Sequence, residues 1–114
     1  MQRRAPFSAL AASLLLAAGL LAPSVEASDA ISLERKAALD HLLLHDCGSC
    51  HGLTMKGGLG PALTAERLAA FADEDLIAVI LEGRPGTPMP PWETQLSHAE
   101  AAWLVRRMRE MTPP

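Results

Sequence analysis

Cys47, Cys50 and His51 stand together in the run Cys-Gly-Ser-Cys-His. Two thiols three positions apart, followed at once by an imidazole, form the C-x-x-C-H pattern of covalent haem attachment. The two intervening residues let each thiol reach a different vinyl edge of the porphyrin. His51 then falls under the ring centre, where it takes the iron. A haem tethered by two thioethers does not dissociate, so the remaining question is what meets the iron on its opposite face.

Other readings of the same residues stand beside this one. A redox disulfide between Cys47 and Cys50 needs a neighbouring βαβ pattern, and the sequence contains none. A zinc site needs two further ligands from His41, His45, His51 or His98, and no second pair has finger-like spacing. A chance match is the third. Haem attachment ranks above all three because the motif follows a helical segment and a proline-flanked methionine lies downstream.

That methionine is Met89. Met1 belongs to the amino-terminal leader, Met55 lies four residues past His51 and so close to its side, and Met108 and Met111 sit on a helix whose apolar spacing explains them. Met89 lies 38 residues after His51 between Pro88 and Pro90, in a stiff segment long enough to cross to the other face. Histidine with methionine is a common axial pair, against the plainer role of a loop methionine filling a gap. His41 and His45 also bear imidazoles, but four residues apart they share one helix face, read here as solvated. His98 falls in a helix cap and is read as structural. His51 needs a fixed acceptor for its second ring nitrogen, and the Pro61 carbonyl is the candidate, because proline has no amide of its own to pair and its carbonyl is free.

The elements that position these residues are helical. Leu33 to Asp46 predicts a helix with Ser32 as N-cap and Leu39, Leu42 and Leu43 on one side. The glycines of the 52–63 segment predict a loop. Thr64 caps a short helix to Phe71, and Asp73 caps another whose stripe is Leu76, Ile77, Ile80 and Leu81 and which Gly83 stops. The run Asp73-Glu74-Asp75 matches that helix's positive end and is not read as a metal site. Five prolines and glycines between Arg84 and Leu96 exclude regular structure. Ser97-His98-Ala99-Glu100 is a capping box that opens a last helix with Ala101, Trp103, Leu104, Val105 and Met108 on its buried side. The fold class expected is all-α, with several short helices around one haem.

The chain's 114 residues divide into two parts. Arg3 and Arg4, a nearly apolar stretch from Ser8 to Ala22 and Val25-Glu26-Ala27 have the layout of a secretory signal. The expected division is a cleaved leader over residues 1–27 and one domain over 28–114, exported to the periplasm and not retained in the membrane. That domain has eight basic against twelve acidic side chains, a formal charge of −4. Scattered basic residues, with Lys36 and Lys56 the only lysines, exclude a nucleic-acid footprint. Its only aromatics are Phe71, Trp92 and Trp103. So small and aromatic-poor a domain buries little surface of its own, and a central haem supplies the missing core.

With these motifs in view, the sequence resembles a class I cytochrome c over about Leu39 to Met108. In that family a first helix ends in C-x-x-C-H, as at Cys47, Cys50 and His51. A Gly-Pro supports the proximal histidine, as at Gly60-Pro61, and a Met-Pro supplies the sixth ligand, as at Met89-Pro90. An aromatic of the final helix crosses the first, as at Trp103. More narrowly, the wording of the 47–63 and 83–92 segments resembles small periplasmic cytochromes associated with the nitrite reductase carrying haems c and d1 in denitrifying bacteria. The resemblance implies one covalent haem c per chain, with Cys47, Cys50 and Pro61 at the cofactor and His51 and Met89 on the iron. It implies a monomeric one-electron carrier and not an enzyme, whose partners are redox proteins, that nitrite reductase among them, and the cytochrome c maturation machinery. The role is either electron donation to the reductase or a part in making its special haem. A general carrier for another periplasmic oxidase or dehydrogenase, and a haem-based sensor with a labile Met89, are the alternatives. Two departures stand out: relatives often have glycine and an aromatic where this chain has Leu39 and Leu43. A looser or differently angled crossing of the first and last helices is therefore expected.

Overall fold

A computed structural model describes residues 30–111; the leader expected over residues 1–27 lies outside the described residues. The described part is helical and, among its residues, contains no strand. Helix α1 spans Leu33–Leu42, α2 Gly48–His51, α3 Ala65–Leu68, α4 Asp73–Glu82 and α5 His98–Glu110. Side-chain oxygens begin three of them: Ser32 accepts from the Arg35 amide, Thr64 from Arg67, and Ser97 from Glu100. Ser97 and Glu100 complete the capping box, since the Glu100 carboxylate in turn accepts from the Ser97 amide at 2.8 Å.

The first helix does not stop short of the cysteines. A single π-turn, Leu43–Cys47, joins α1 to α2, so the backbone remains helical through His51, beyond the end expected at Asp46. The extra residue in that turn brings Gly48 beneath Leu43, whose carbonyl accepts the Gly48 amide. Two other boundaries differ from expectation. Helix α3 ends at Leu68, before Phe71, and the Arg109 guanidinium donates to the Leu68 and Phe71 carbonyls, at and beyond its end, at 2.9 and 2.8 Å. Ala72 occupies the N-cap of α4, and Asp73 is its first helical residue. The Asp73 carboxylate turns to Arg109 at 2.8 Å in place of capping.

The core lies where α5 packs against α4, α3 and α1. Leu39, Leu43, Ala101, Leu104, Val105 and Met108 are all buried there, joined by Leu68, Ile77, Leu96 and Met55. Burying a leucine or valine fully contributes about 1.5–3 kcal/mol, and Leu39, Leu104 and Val105 are the largest side chains buried to that degree. Positions 101, 104, 105 and 108 follow the helical repeat; Trp103 stands off that stripe and is only half-buried at its margin. Leu39 and Leu43 belong to the same buried cluster, against which Trp103 packs. Two ion pairs flank the crossing of α1 and α5, Arg35 with Glu100 and Arg107 with Asp40, the second at 2.8 Å.

Candidate haem site

The attachment motif is carried by the last turn of the helical run. Cys47 and Cys50 are half-buried free thiols, one turn apart on α2 and its approach. Burial, with the Asp46 carboxylate adding, pushes the Cys47 thiol up to about 11, so it is neutral at physiological pH. A neutral thiol is a slow nucleophile in disulfide exchange. Among the described residues no group of three or more His, Cys, Asp or Glu side chains is placed to hold a metal ion, which removes the ligand set that the zinc reading requires.

His51 is held from two sides. Its Nδ1 lies 2.7 Å from the Pro61 carbonyl oxygen. A carbonyl only accepts, so Nδ1 carries the proton and Nε2 keeps the lone pair a metal needs. The 52–63 loop folds back to make this possible: the Gly57 amide bonds the His51 carbonyl and the Gly60 amide bonds the Cys50 carbonyl, both at 2.8 Å. These bonds also satisfy carbonyls left open where the helix ends. Gly60 is thereby laid against the imidazole so closely that a Cβ would sit 2.9 Å from Cε1 and Nδ1. Met55 turns inward below the same loop, buried in the core with its Cε near Gly48.

Met89 lies in a loop closed at its base. The Arg84 amide bonds the Met89 carbonyl at 3.1 Å, and the Thr87 hydroxyl donates to the Arg84 carbonyl at 2.7 Å while accepting from the Met89 amide at 3.3 Å. Gly83, at φ +68°, ends α4 in a conformation that other residues resist, and a Cβ there would lie 2.7–2.8 Å from the backbone of Met89, Pro90 and Pro91. The Trp92 amide continues the attachment by bonding the Ile80 and Leu81 carbonyls. Met89 itself is half-buried, whereas Met55 and Met108 are committed to the core.

Sequence reasoning singled out Pro61 but passed over Gly60 as a platform for the ring and Thr87 as the brace of the Met89 loop. Both leave a trace in the sequence: a glycine directly before the proline, and a threonine two residues before the methionine, the spacing of a side-chain turn. His41 and His45 are exposed, with their ring centres 4.2 Å apart. The exposed His98 faces Glu74 at 3.2 Å.

A helix ending in two free thiols and a tautomer-fixed imidazole, with a glycine packed against the ring, fits a covalently attached haem and defines a c-type cytochrome domain. Comparison with known proteins agrees. Residues 34–106 match the family described as cytochrome C oxidase, cbb3-type, subunit III. The chain is 55% identical to cytochrome c55X of Stutzerimonas stutzeri over 88% of each chain. It superposes on the solved structure of a c-type cytochrome, NirC, with a TM-score of 0.68 and 58% identity, covering 69% of this chain and 93% of that one. A second solved structure, the dihydro-heme d1 dehydrogenase NirN in complex with DHE, matches with a TM-score of 0.60 and 36% identity over 66% of this chain but 16% of that one.

The chain belongs to the cytochrome c55X family of c-type cytochromes. With that membership comes one covalently bound haem c, for which Cys47, Cys50 and His51 have the attachment spacing.

Proposed function

We propose that this protein is a periplasmic one-electron carrier serving the nitrite reductase system, with Cys47 and Cys50 as the thioether residues, His51 as the proximal ligand and Met89 as the sixth. Residues 1–27 act as the export leader and 28–114 as the mature domain. Among the described residues no helix is long and apolar enough to cross a membrane.

The observation that carries this reading is the 2.7 Å approach of His51 Nδ1 to the Pro61 carbonyl. It fixes tautomer and ring plane before any ligand exchange, as an electron-transfer centre with small rearrangement requires. Haem c supplies a reversible one-electron couple. The protein's part is to hold an imidazole and a thioether on opposite faces, leaving substrate no coordination position, and to keep both from moving. Pro88, Pro90, Pro91 and the Thr87 brace serve that end on the Met89 side. His–Met ligation also favours a high potential.

The likeness to part of a dihydro-heme d1 dehydrogenase supports a place beside the synthesis of haem d1, and the sequence wording supports a place beside the nitrite reductase itself. Stopped-flow mixing of the oxidised or reduced protein with each purified enzyme distinguishes the two. Exchange faster with one of them than with an unrelated periplasmic oxidase supports the reading. Equal rates with all three would refute the nitrite link while leaving the carrier role intact.

A further inference from the structure

The geometry points to a binding site for a divalent transition-metal ion of the copper type on the outer face of the first helix, formed by His41 and His45. The two residues are four positions apart, His41 in the last turn of α1 and His45 in the π-turn that follows. Both are exposed, and their rings lie beside each other, with centres 4.2 Å apart and planes inclined at 41°. Nothing in the haem site uses them.

The separation selects the type of ion. An ion about 2.0–2.1 Å from one nitrogen of each ring would lie roughly 3 Å from both ring centres, and rings at this spacing would then subtend a nitrogen–metal–nitrogen angle of roughly 80–90°. That is the cis angle of a tetragonal site and is well below the tetrahedral angle preferred by zinc. Imidazole suits Cu(II) and Ni(II), and Cu(II) stands highest in the affinity order. The neighbouring carboxylate of Asp40 is engaged by Arg107 at 2.8 Å, and no third His, Cys, Asp or Glu converges among the described residues. Water therefore completes the coordination, and the site is open to exchange. It lies two residues before Cys47, on the approach to the haem, and does not depend on the identity of the electron-transfer partner.

The test titrates the oxidised, haem-loaded and untagged protein with Cu(II) chloride, followed by calorimetry and by electron paramagnetic resonance. One equivalent with two-nitrogen coupling is expected. His41→Gln or His45→Gln should each weaken binding by about tenfold or more, at least what the loss of an outer partner costs a metal site, while His98→Gln leaves it unchanged. Zn(II) should bind more weakly than Cu(II). Wild-type affinity in either single variant, or loss of binding in His98→Gln, overturns the site. Equal affinity for Zn(II) overturns the tetragonal assignment. An unchanged haem absorption spectrum in each variant shows that folding is not the cause.

Discussion

Gly60 lies against the His51 imidazole with no room for a β-carbon between them, since one placed there would stand 2.9 Å from the ring. The adjacent Pro61 carbonyl meets Nδ1 of the same ring, so one dipeptide sets both the plane and the tautomer of His51. Gly60→Ala must therefore displace the ring or the loop. The expected cost is about 1–3 kcal/mol, the range for overpacking, with a shifted reduction potential. Thermal unfolding followed by haem absorbance, together with redox titration, checks both; an unaltered melting temperature and potential would show that the loop yields freely.

Met89→Ala removes the proposed sixth ligand and leaves the thioethers untouched. The haem stays attached, cyanide binds readily at neutral pH, and the potential falls by on the order of 0.1 V, a modest part of the roughly 0.8 V that axial ligands span. Spectra and potential identical to the parent protein would refute Met89 as ligand.

Gly83→Ala probes the support of Met89 from behind. The φ of +68° and the 2.7 Å approach of a Cβ to Pro90 and Pro91 both oppose it, so a loss of about 2 kcal/mol or more is expected. Faster cyanide uptake should accompany it, because the loop is pushed from its seat. Slow uptake alongside lowered stability would confine Gly83 to ending the helix.

Glu100 titrates below its ordinary value of 4.5, chiefly because Arg35 bonds its carboxylate and secondarily because the Ser97 amide does. With the folded value depressed, its contribution is complete above about pH 4.5 and fades as pH falls through the folded value. Glu100→Gln should thus lower the melting temperature at pH 7 and lose less than the parent on acidification, the two curves converging in acid. A difference that stays constant with pH would mean that the ion pair across α1 and α5 has no part in acid stability.

The sequence was most legible where a short-range pattern has one physical solution. Ser97 and Glu100 form the capping box because each can satisfy the other's backbone amide within one turn, and Ser32 and Thr64 act likewise. It was less legible where a residue had two outlets. Asp73 reads as a cap, but Arg109, 36 positions away, offers its carboxylate a charged partner, and the cap position falls to Ala72. Trp103 reads as part of the buried side of the last helix, whereas Ala101, Leu104, Val105 and Met108 are fully buried and Trp103 packs half-buried against the cluster they share with Leu39 and Leu43. The π-turn at Leu43–Cys47 has no composition of its own, because i to i+5 bonding draws on the same residues as ordinary helix.

By itself the sequence determined the attachment chemistry, since Cys47, Cys50 and His51 are neighbours and their spacing is local. It also determined the order of the helices and most of their caps, which depend on residues three or four apart. Tertiary structure decided the contacts made across distance. It laid Gly60 on the imidazole, backed Met89 with Gly83, and drew α1 to α5 between two ion pairs. The physical reason is that hydrogen bonding within a turn is specified by a few adjacent residues, while the approach of separate segments depends on how the whole core closes.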